Sequence, residues 1–326
     1  MPSHGRPRRE LVLVGCACAW LALSLPRPLL ARDPARPRAG VSVSPRSPAE
    51  QALTGGIVSL RSPGSLMIRV PTTTFRMGST QAETLEAAAE CAREPYGFRC
   101  NDTTFADEMP AHEVELSAYW LDRTEVTVSA YSRCVRLRRC KAPPFAQGGK
   151  RFDQPSYPVS LVTYDDAVAY CKFRGARLPS EAEFERAVRG EQGRRFPWGD
   201  LYNVRAANHG RLGWDVTDPR DGFAELGPVG SYAAGATPEG FLDLAGNAAE
   251  WVEDRYMARY AAGRQKDPRG PAAPPAGSER VVRGGSYAQA GPWLRGAARR
   301  FQEPGLRRPF LGFRCAQSAR ARAATR

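Results

Sequence analysis

No cysteine lies between Cys171 and Cys315, and the 326-residue chain has only three histidines, His4, His112 and His209. A pair of thiolates for a soft monovalent metal therefore has no source in that long central stretch. There is no C-x-x-C pair, so a zinc ribbon lacks ligands at their usual spacing. The main apolar run, Leu11 to Leu25, is about 15 residues, short of the ~20 a membrane helix needs. Lysine is absent after residue 280, and neither an internal repeat nor a coiled-coil heptad pattern occurs.

What is present begins with an export pattern. Arg6, Arg8 and Arg9 precede the apolar run, and a small-residue cut site follows at Ala31, so residues 1–31 read as a signal peptide. L-V-G-C at Leu13 to Cys16 imitates a lipoprotein site, but few apolar residues precede it, and a lipid anchor at Cys16 is the lesser reading. The expected destination is periplasmic or extracellular. Residues 32–63, rich in Pro, Arg, Ser and Ala, read as a disordered linker. A folded domain is expected over 64–318, with a basic tail at 319–326. Six cysteines remain after the leader, an even set that reads as disulfides in an exported chain. Spacing favours Cys91 with Cys100 and Cys134 with Cys140, which leaves Cys171 with Cys315. The net charge of +13 is concentrated at the end, where residues 281–326 hold ten arginines and one acid, Glu303. Arginine clusters can neutralise phosphates. Export and the spread of these arginines through a cysteine-stapled domain argue instead for buried ion pairs, and no nucleic-acid partner is expected.

Gly 31 and Pro 28 imply many loops. Strands are expected from Leu66, at Phe75 to Ser79 and at His112 to Leu116, with A-Y-W-L-D following. The acidic insert Thr80 to Glu108 is expected to loop over the surface. Three helices are expected: one from Thr127 with Val128, Tyr131 and Val135 on one face; one from Thr163 with Tyr164, Ala167, Val168 and Cys171 inward; and one opened by the capping box Ser180 to Glu183, with Phe184, Ala187 and Val188 following. Beyond Pro197 no periodicity is visible.

Several motifs follow one another in order: F-R-M-G-S at Phe75, E-V-T at Glu125, Y-P-V-S-L-V-T-Y-D-D-A at Tyr157, R-L-P-S-E-A-E-F-E at Arg177, F-P-W-G-D at Phe196 and G-N-A-A-E-W at Gly246. R-G-G-S-Y at Arg283, A-R-R-F at Ala298 and L-G-F-R-C at Leu311 complete the series. Together they resemble the formylglycine-generating enzyme (sulfatase-modifying factor) family, over roughly Leu66 to Gln317. The resemblance implies an α+β, C-type-lectin-like fold with low regular secondary structure and many loops. It also implies a long-range disulfide at Cys171 and Cys315. A second family disulfide would use positions near Val188 and Gly296, and both of its partners are missing here.

The family's best-known reaction oxidises a client sulfatase cysteine to formylglycine with O2 and copper(I), held by two cysteines after the G-G-S turn. Here that segment reads Y-A-Q-A-G-P-W-L from Tyr287. The first metal position falls at Gln289 and the second near Leu294, and the family tryptophan that walls the oxygen pocket is Ala249. Copper is not expected, and no catalytic residue is assigned. Relatives that form sulfoxides use three histidines on iron, and only His112 and His209 outlast the leader. His112 sits in a strand pattern and reads as structural. Ser286 has no histidine placed beside it, so a hydrolase triad is not supported.

The resemblance further implies structural calcium bound by hard oxygen donors. One site would use Asn208 and Asp221 side chains with the carbonyls of His209 and Phe223; the other, Asp243 and Glu250 side chains with the carbonyls of Gly246 and Ala248. A ligand groove would be lined by Ser286, Tyr287, Gln289, Trp293 and Arg295. The favoured reading is an exported, non-catalytic or divergent member that binds a peptide or envelope protein in the former active-site groove. The alternatives are an oxidase or tailoring enzyme with an altered metal site, and a lectin-like receptor.

Overall fold

The computed structural model describes residues 59–62, 65–94, 97–147, 151–210, 219–271 and 279–319. The leader, most of the linker and nearly all of the basic tail lie outside the described residues. In chain order the elements are β1 (Ser59–Ser62), β2 (Ser65–Val70), β3 (Thr73–Met77), α1 (Gln81–Arg93), β4 (His112–Leu116) and β5 (Tyr119–Asp122). Then come α2 (Val128–Arg136), α3 (Tyr164–Phe173), α4 (Glu181–Arg189), β6 (Ala249–Arg255) and β7 (Gln265–Lys266). Four short strands close the chain: β8 (Arg280–Arg283), β9 (Arg300–Gln302), β10 (Leu311–Phe313) and β11 (Ala316–Ser318). They form three sheets ordered β1-β2-β5-β11, β3-β4-β7 and β10-β6-β8-β9. β1 falls within the stretch read as linker and pairs antiparallel with β2.

Alternation explains the early strands. Thr73, Phe75 and Met77 of β3 point inward, as do His112, Val114 and Leu116 of β4, while the residues between them face outward. The three expected helices are present and begin at capped threonines and serine. Thr127 accepts from the Ala130 N–H, and both Thr163 with Asp166 and Ser180 with Glu183 form reciprocal capping boxes. The insert expected as a surface loop instead opens with α1, a 13-residue helix with its own capping box between Thr80 and Glu83. Its inner face is made of small residues, Ala87, Ala88 and Cys91, so no large apolar stripe announces it.

Two apolar clusters share the interior. In one, α2 and α3 pack Tyr131, Tyr170 and Cys171 on Trp251 of β6 and Phe313 of β10. In the other, α4 places Phe184, Ala187 and Val188 against Ile68, Val114, Leu121 and Val281. All three cysteine pairs are joined: Cys91–Cys100, Cys134–Cys140 and Cys171–Cys315. The last closes a sequence separation of 144 residues, and by chain entropy such a staple contributes about 4–5 kcal/mol.

α4 is buried on every face although it carries Glu181, Glu183, Glu185, Arg186 and Arg189. Burial of charge is tolerable only with partners. Arg283 reaches Glu181 and Glu185 at 2.8 Å each, and Arg299 grips Glu181 at 2.7 and 2.9 Å. Asp254 has no such cation among the described residues. Its carboxylate accepts the Glu181 N–H at 2.7 Å, yet burial, followed by the nearby Glu181 charge, raises its pKa from 3.8 to about 8. Folded Asp254 thus keeps its proton where the unfolded chain has lost it. Its contribution to stability is full below pH ~4 and disappears as pH rises to about 8. Urea unfolding of Asp254→Asn should lose less stability than wild type between pH 4.5 and 8.5, by on the order of a few kcal/mol. Parallel pH profiles would refute the assignment.

Candidate functional site

The G-G-S turn is shaped by close approach. Gly284 and Gly285 have φ of +88° and +68°, and a Cβ on Gly285 would lie 2.8 Å from the Leu294 side chain and the Trp293 carbonyl. Ser286, fully buried, accepts from the Ala288 N–H at 3.3 Å and donates to Gln289 Oε1 at 3.4 Å. Tyr287 is buried and donates its N–H to the Asn247 carbonyl at 2.9 Å. It packs with Leu226 and Ala248 beneath half-buried Phe152, Tyr157 and Phe310. Gln289 is half-buried, and its carbonyl accepts from Gly210 N–H at 3.0 Å.

The five residues expected to line one groove do not share one surface. A short 3-10 turn, Gly291–Leu294, directs Trp293 and Arg295 toward the clipped α1 segment. Trp293 lies on Phe105 with ring centroids 4.6 Å apart, under the Arg300 guanidinium at 4.5 Å. Its Nε1 finds no acceptor among the described residues. Arg295, expected at a ligand surface, is instead 5% exposed and fork-paired to Glu108 at 2.6 and 3.0 Å, over the Phe105 ring. Glu108 is fully buried and also accepts from Ser79 at 2.6 Å. Ser286, Tyr287 and Gln289 therefore form one unit with Phe152, Tyr157 and Phe310, while Trp293 and Arg295 belong to the insert. Sequence reasoning missed Phe105 and Glu108; the signal was the T-x-x-E capping box, which marks the insert as an ordered element.

The residues expected around calcium fall in two sets with different partners. Asn208 is buried; its Nδ2 donates to the Glu225 carbonyl at 2.7 Å and to Asn247 at 3.0 Å, while its Oδ1 has no donor among the described residues. Asp221 lies alongside, accepting from the backbone N–H groups of His209 at 2.5 Å and Phe223 at 3.3 Å. In the second set both Glu250 oxygens are held by Arg314 at 2.7–3.0 Å. Asp243, at φ +54°, accepts from Gly230 N–H at 2.5 Å and faces Glu125. Burial, then the neighbouring Asp243 and Glu250 charges, pushes Glu125 well above the ordinary carboxylate range. Three carboxylates thus surround one guanidinium. Gly246 and Ala248 flank Asn247, whose N–H donates to the Asn208 carbonyl at 2.7 Å. Among the described residues no three His, Cys, Asp or Glu side chains converge as a ready-made metal cage. His209 binds Gly210 and Val204 carbonyls and the Tyr202 hydroxyl, and His112 binds the Pro110 carbonyl.

A family model, the sulfatase-modifying factor enzyme 1-like domain, matches residues 59–319. The chain belongs to this family. It is 37% identical over 172 residues to the formylglycine-generating enzyme of Bos taurus, covering 50% of this chain and 44% of that protein. It is 32% identical over 272 residues to a hercynine oxygenase of Mycolicibacterium thermoresistibile, covering 70% and 55% respectively. The chain thus spans about half the length of these relatives. The fold of PvdO from Pseudomonas aeruginosa superposes with a TM-score of 0.58 at 22% identity, covering 80% of this chain and all of PvdO. The architecture is the family's α+β, lectin-like one, with few helices and many loops.

The Arg295–Glu108 pair fixes the insert to the domain. Arg295→Met alone should cost about 3–5 kcal/mol, because it leaves a buried carboxylate uncompensated. Adding Glu108→Leu should recover much of that loss in denaturant midpoints. Simply additive losses would contradict the pairing.

Proposed function

We propose that this protein is an exported, non-catalytic member of its family that binds an extended peptide or envelope protein on the G-G-S turn surface. One observation carries the reading: all six cysteines among the described residues are consumed in disulfides, and Gln289 stands at the expected metal position. No thiolate pair remains beside Ser286 to hold copper(I) in linear geometry. In its place is a patch of half-buried rings, Phe152, Tyr157 and Phe310, with Arg151 over Phe152 at 5.1 Å and paired to Glu225. Rings framed by an arginine favour recognition. Three disulfides suit an oxidising compartment, and no helix among the described residues is long and apolar enough to cross a membrane.

Two measurements bear on this. The purified protein titrated with copper(I) should show no high-affinity uptake, and a C-x-P-x-R sulfatase peptide should keep its mass. Tight copper uptake or conversion of the peptide would restore the oxidase reading. In the binding arm, capture of envelope proteins should fall with Tyr157→Ala; undiminished capture would move the ligand away from this surface.

Calcium is proposed at the first set of residues only. A buried amide oxygen without a donor among the described residues, Asn208 Oδ1, near the Asp221 carboxylate suits a hard cation, and carbonyls of His209 and Phe223 would complete it. At the second set Glu250 is already neutralised by Arg314. Calcium in excess should raise the unfolding temperature of wild type and leave Asp221→Asn unmoved, a linkage of about 2.7 kcal/mol at a hundredfold excess over Kd. Identical melting with calcium and with chelator would remove the site.

A further inference from the structure

The end of α2 carries positive charge that no described residue balances. From Val126 to Phe152 the chain has no acidic residue, and Arg133, Arg136, Arg138, Arg139 and Lys141 crowd into one short part of that stretch. All five are exposed, and none forms an ion pair, a side-chain hydrogen bond or a ring contact among the described residues. The interior arginines behave otherwise: Arg174, Arg283, Arg299 and Arg314 are each matched to a buried carboxylate. Favourable placement at a helix C-terminus accounts for Arg133 and Arg136, which lie in the last turn of α2. It does not account for the three cations that follow.

The turn that presents them is held in place. The N–H groups of Leu137, Arg138 and Arg139 donate to the carbonyls of Arg133, Val135 and Cys134 at 3.2, 2.8 and 3.0 Å. The Cys134–Cys140 disulfide clips the same loop, and the carbonyl of Lys141 accepts from the Tyr131 hydroxyl at 3.1 Å. Arg138 has a φ of +57°, a conformation that glycine takes with less strain. A long cationic side chain is thus kept where the backbone favours none. Leu137, between two of the arginines, is 55% exposed, while Tyr131 and Cys134 of α2 are buried. A single exposed leucine is ordinary; one set among five unpaired cations on a clipped turn defines a surface with two chemistries.

We propose that this turn, Arg133 to Lys141, is a membrane-surface site that docks the protein on bilayers of anionic phospholipid. Headgroup phosphates take the guanidinium and ammonium groups, and Leu137 enters the acyl boundary beneath them. The long arginine stems can lie along that boundary with their charged ends at the phosphates. A nucleic acid or an anionic polysaccharide could take the same cations but has no use for the leucine, which decides between the classes. This docking involves none of Ser286, Tyr287 and Gln289 and holds whether or not the G-G-S surface binds a ligand.

The test is flotation of the intact protein with vesicles of phosphatidylglycerol and phosphatidylcholine in equal parts, against phosphatidylcholine alone. Each cation at an anionic surface multiplies partitioning about fivefold, so the triple variant Arg138→Gly, Arg139→Gln, Lys141→Gln should bind the mixed vesicles about a hundredfold more weakly. It should melt no lower than wild type, since the three side chains have no partners to lose and the strained φ is relieved. Leu137→Ser should weaken vesicle binding about tenfold and leave binding to dextran sulfate unchanged. In Leu137→Trp, vesicles with brominated acyl chains should quench emission beyond the wild-type loss. Equal flotation with neutral vesicles, or none with the mixed ones, would overturn the proposal. So would a triple variant that floats like wild type, which would place the affinity in another basic segment. Vesicle binding that ignores Leu137→Ser would also overturn it and assign the turn to anionic polymers. Quenching of Leu137→Trp no greater than that of wild type would remove the insertion of this turn, and the proposal with it.

Discussion

Two carboxylates on one short helix, Glu181 and Glu185, meet Arg283 and Arg299 in the dry interior, and the rest of the architecture is arranged around that meeting. Charges taken out of water gain little net free energy from pairing, but a mismatched partner leaves a naked ion at a cost of several kcal/mol. Such contacts therefore discriminate between arrangements more than they add stability. A fold with short strands and long loops has little ladder hydrogen bonding to choose its register. Fork-shaped guanidinium contacts make that choice here. Tyr260 belongs to the same network: its hydroxyl donates to Glu181 at 3.0 Å, and Arg299 lies over its ring at 4.1 Å.

The same device attaches the insert. Glu108 and Arg295 come from segments 187 residues apart, and the ring of Phe105 is shared by Arg295 and Trp293. Through these contacts the insert draws Trp293 and Arg295 out of the G-G-S surface. The surface by Tyr287 is aromatic and thiol-free.

Much of the fold was legible because its signals are local. Thr127, Thr163 and Ser180 open helices by satisfying backbone N–H groups, and Phe75, Met77, Val114 and Leu116 alternate as a half-buried sheet requires. α1 was not legible from apolar periodicity because alanine and cysteine form its inner face, although Thr80 and Glu83 spell its cap. β6 was hidden for another reason. It is buried on both faces and includes Glu250 and Asp254, so it shows neither alternation nor an apolar run. Its acids become intelligible only once Arg314 and the Glu181 N–H are placed beside them. Proximity in sequence misled at the site: Trp293 and Arg295 follow Ser286 closely, yet one 3-10 turn sends them to a different neighbour.

The sheet that holds β2 and β5 is completed by β11, which pairs Leu121 with Ala316, next to the Cys171–Cys315 staple. The central strand of that sheet thus waits for a partner almost two hundred residues downstream. Until it arrives, one side of β5 is an open edge of the kind that pairs with whatever is near. Assembly of this domain is accordingly governed by long-range closure, and a nascent chain held short of residue 318 exposes a sticky border that the finished molecule conceals.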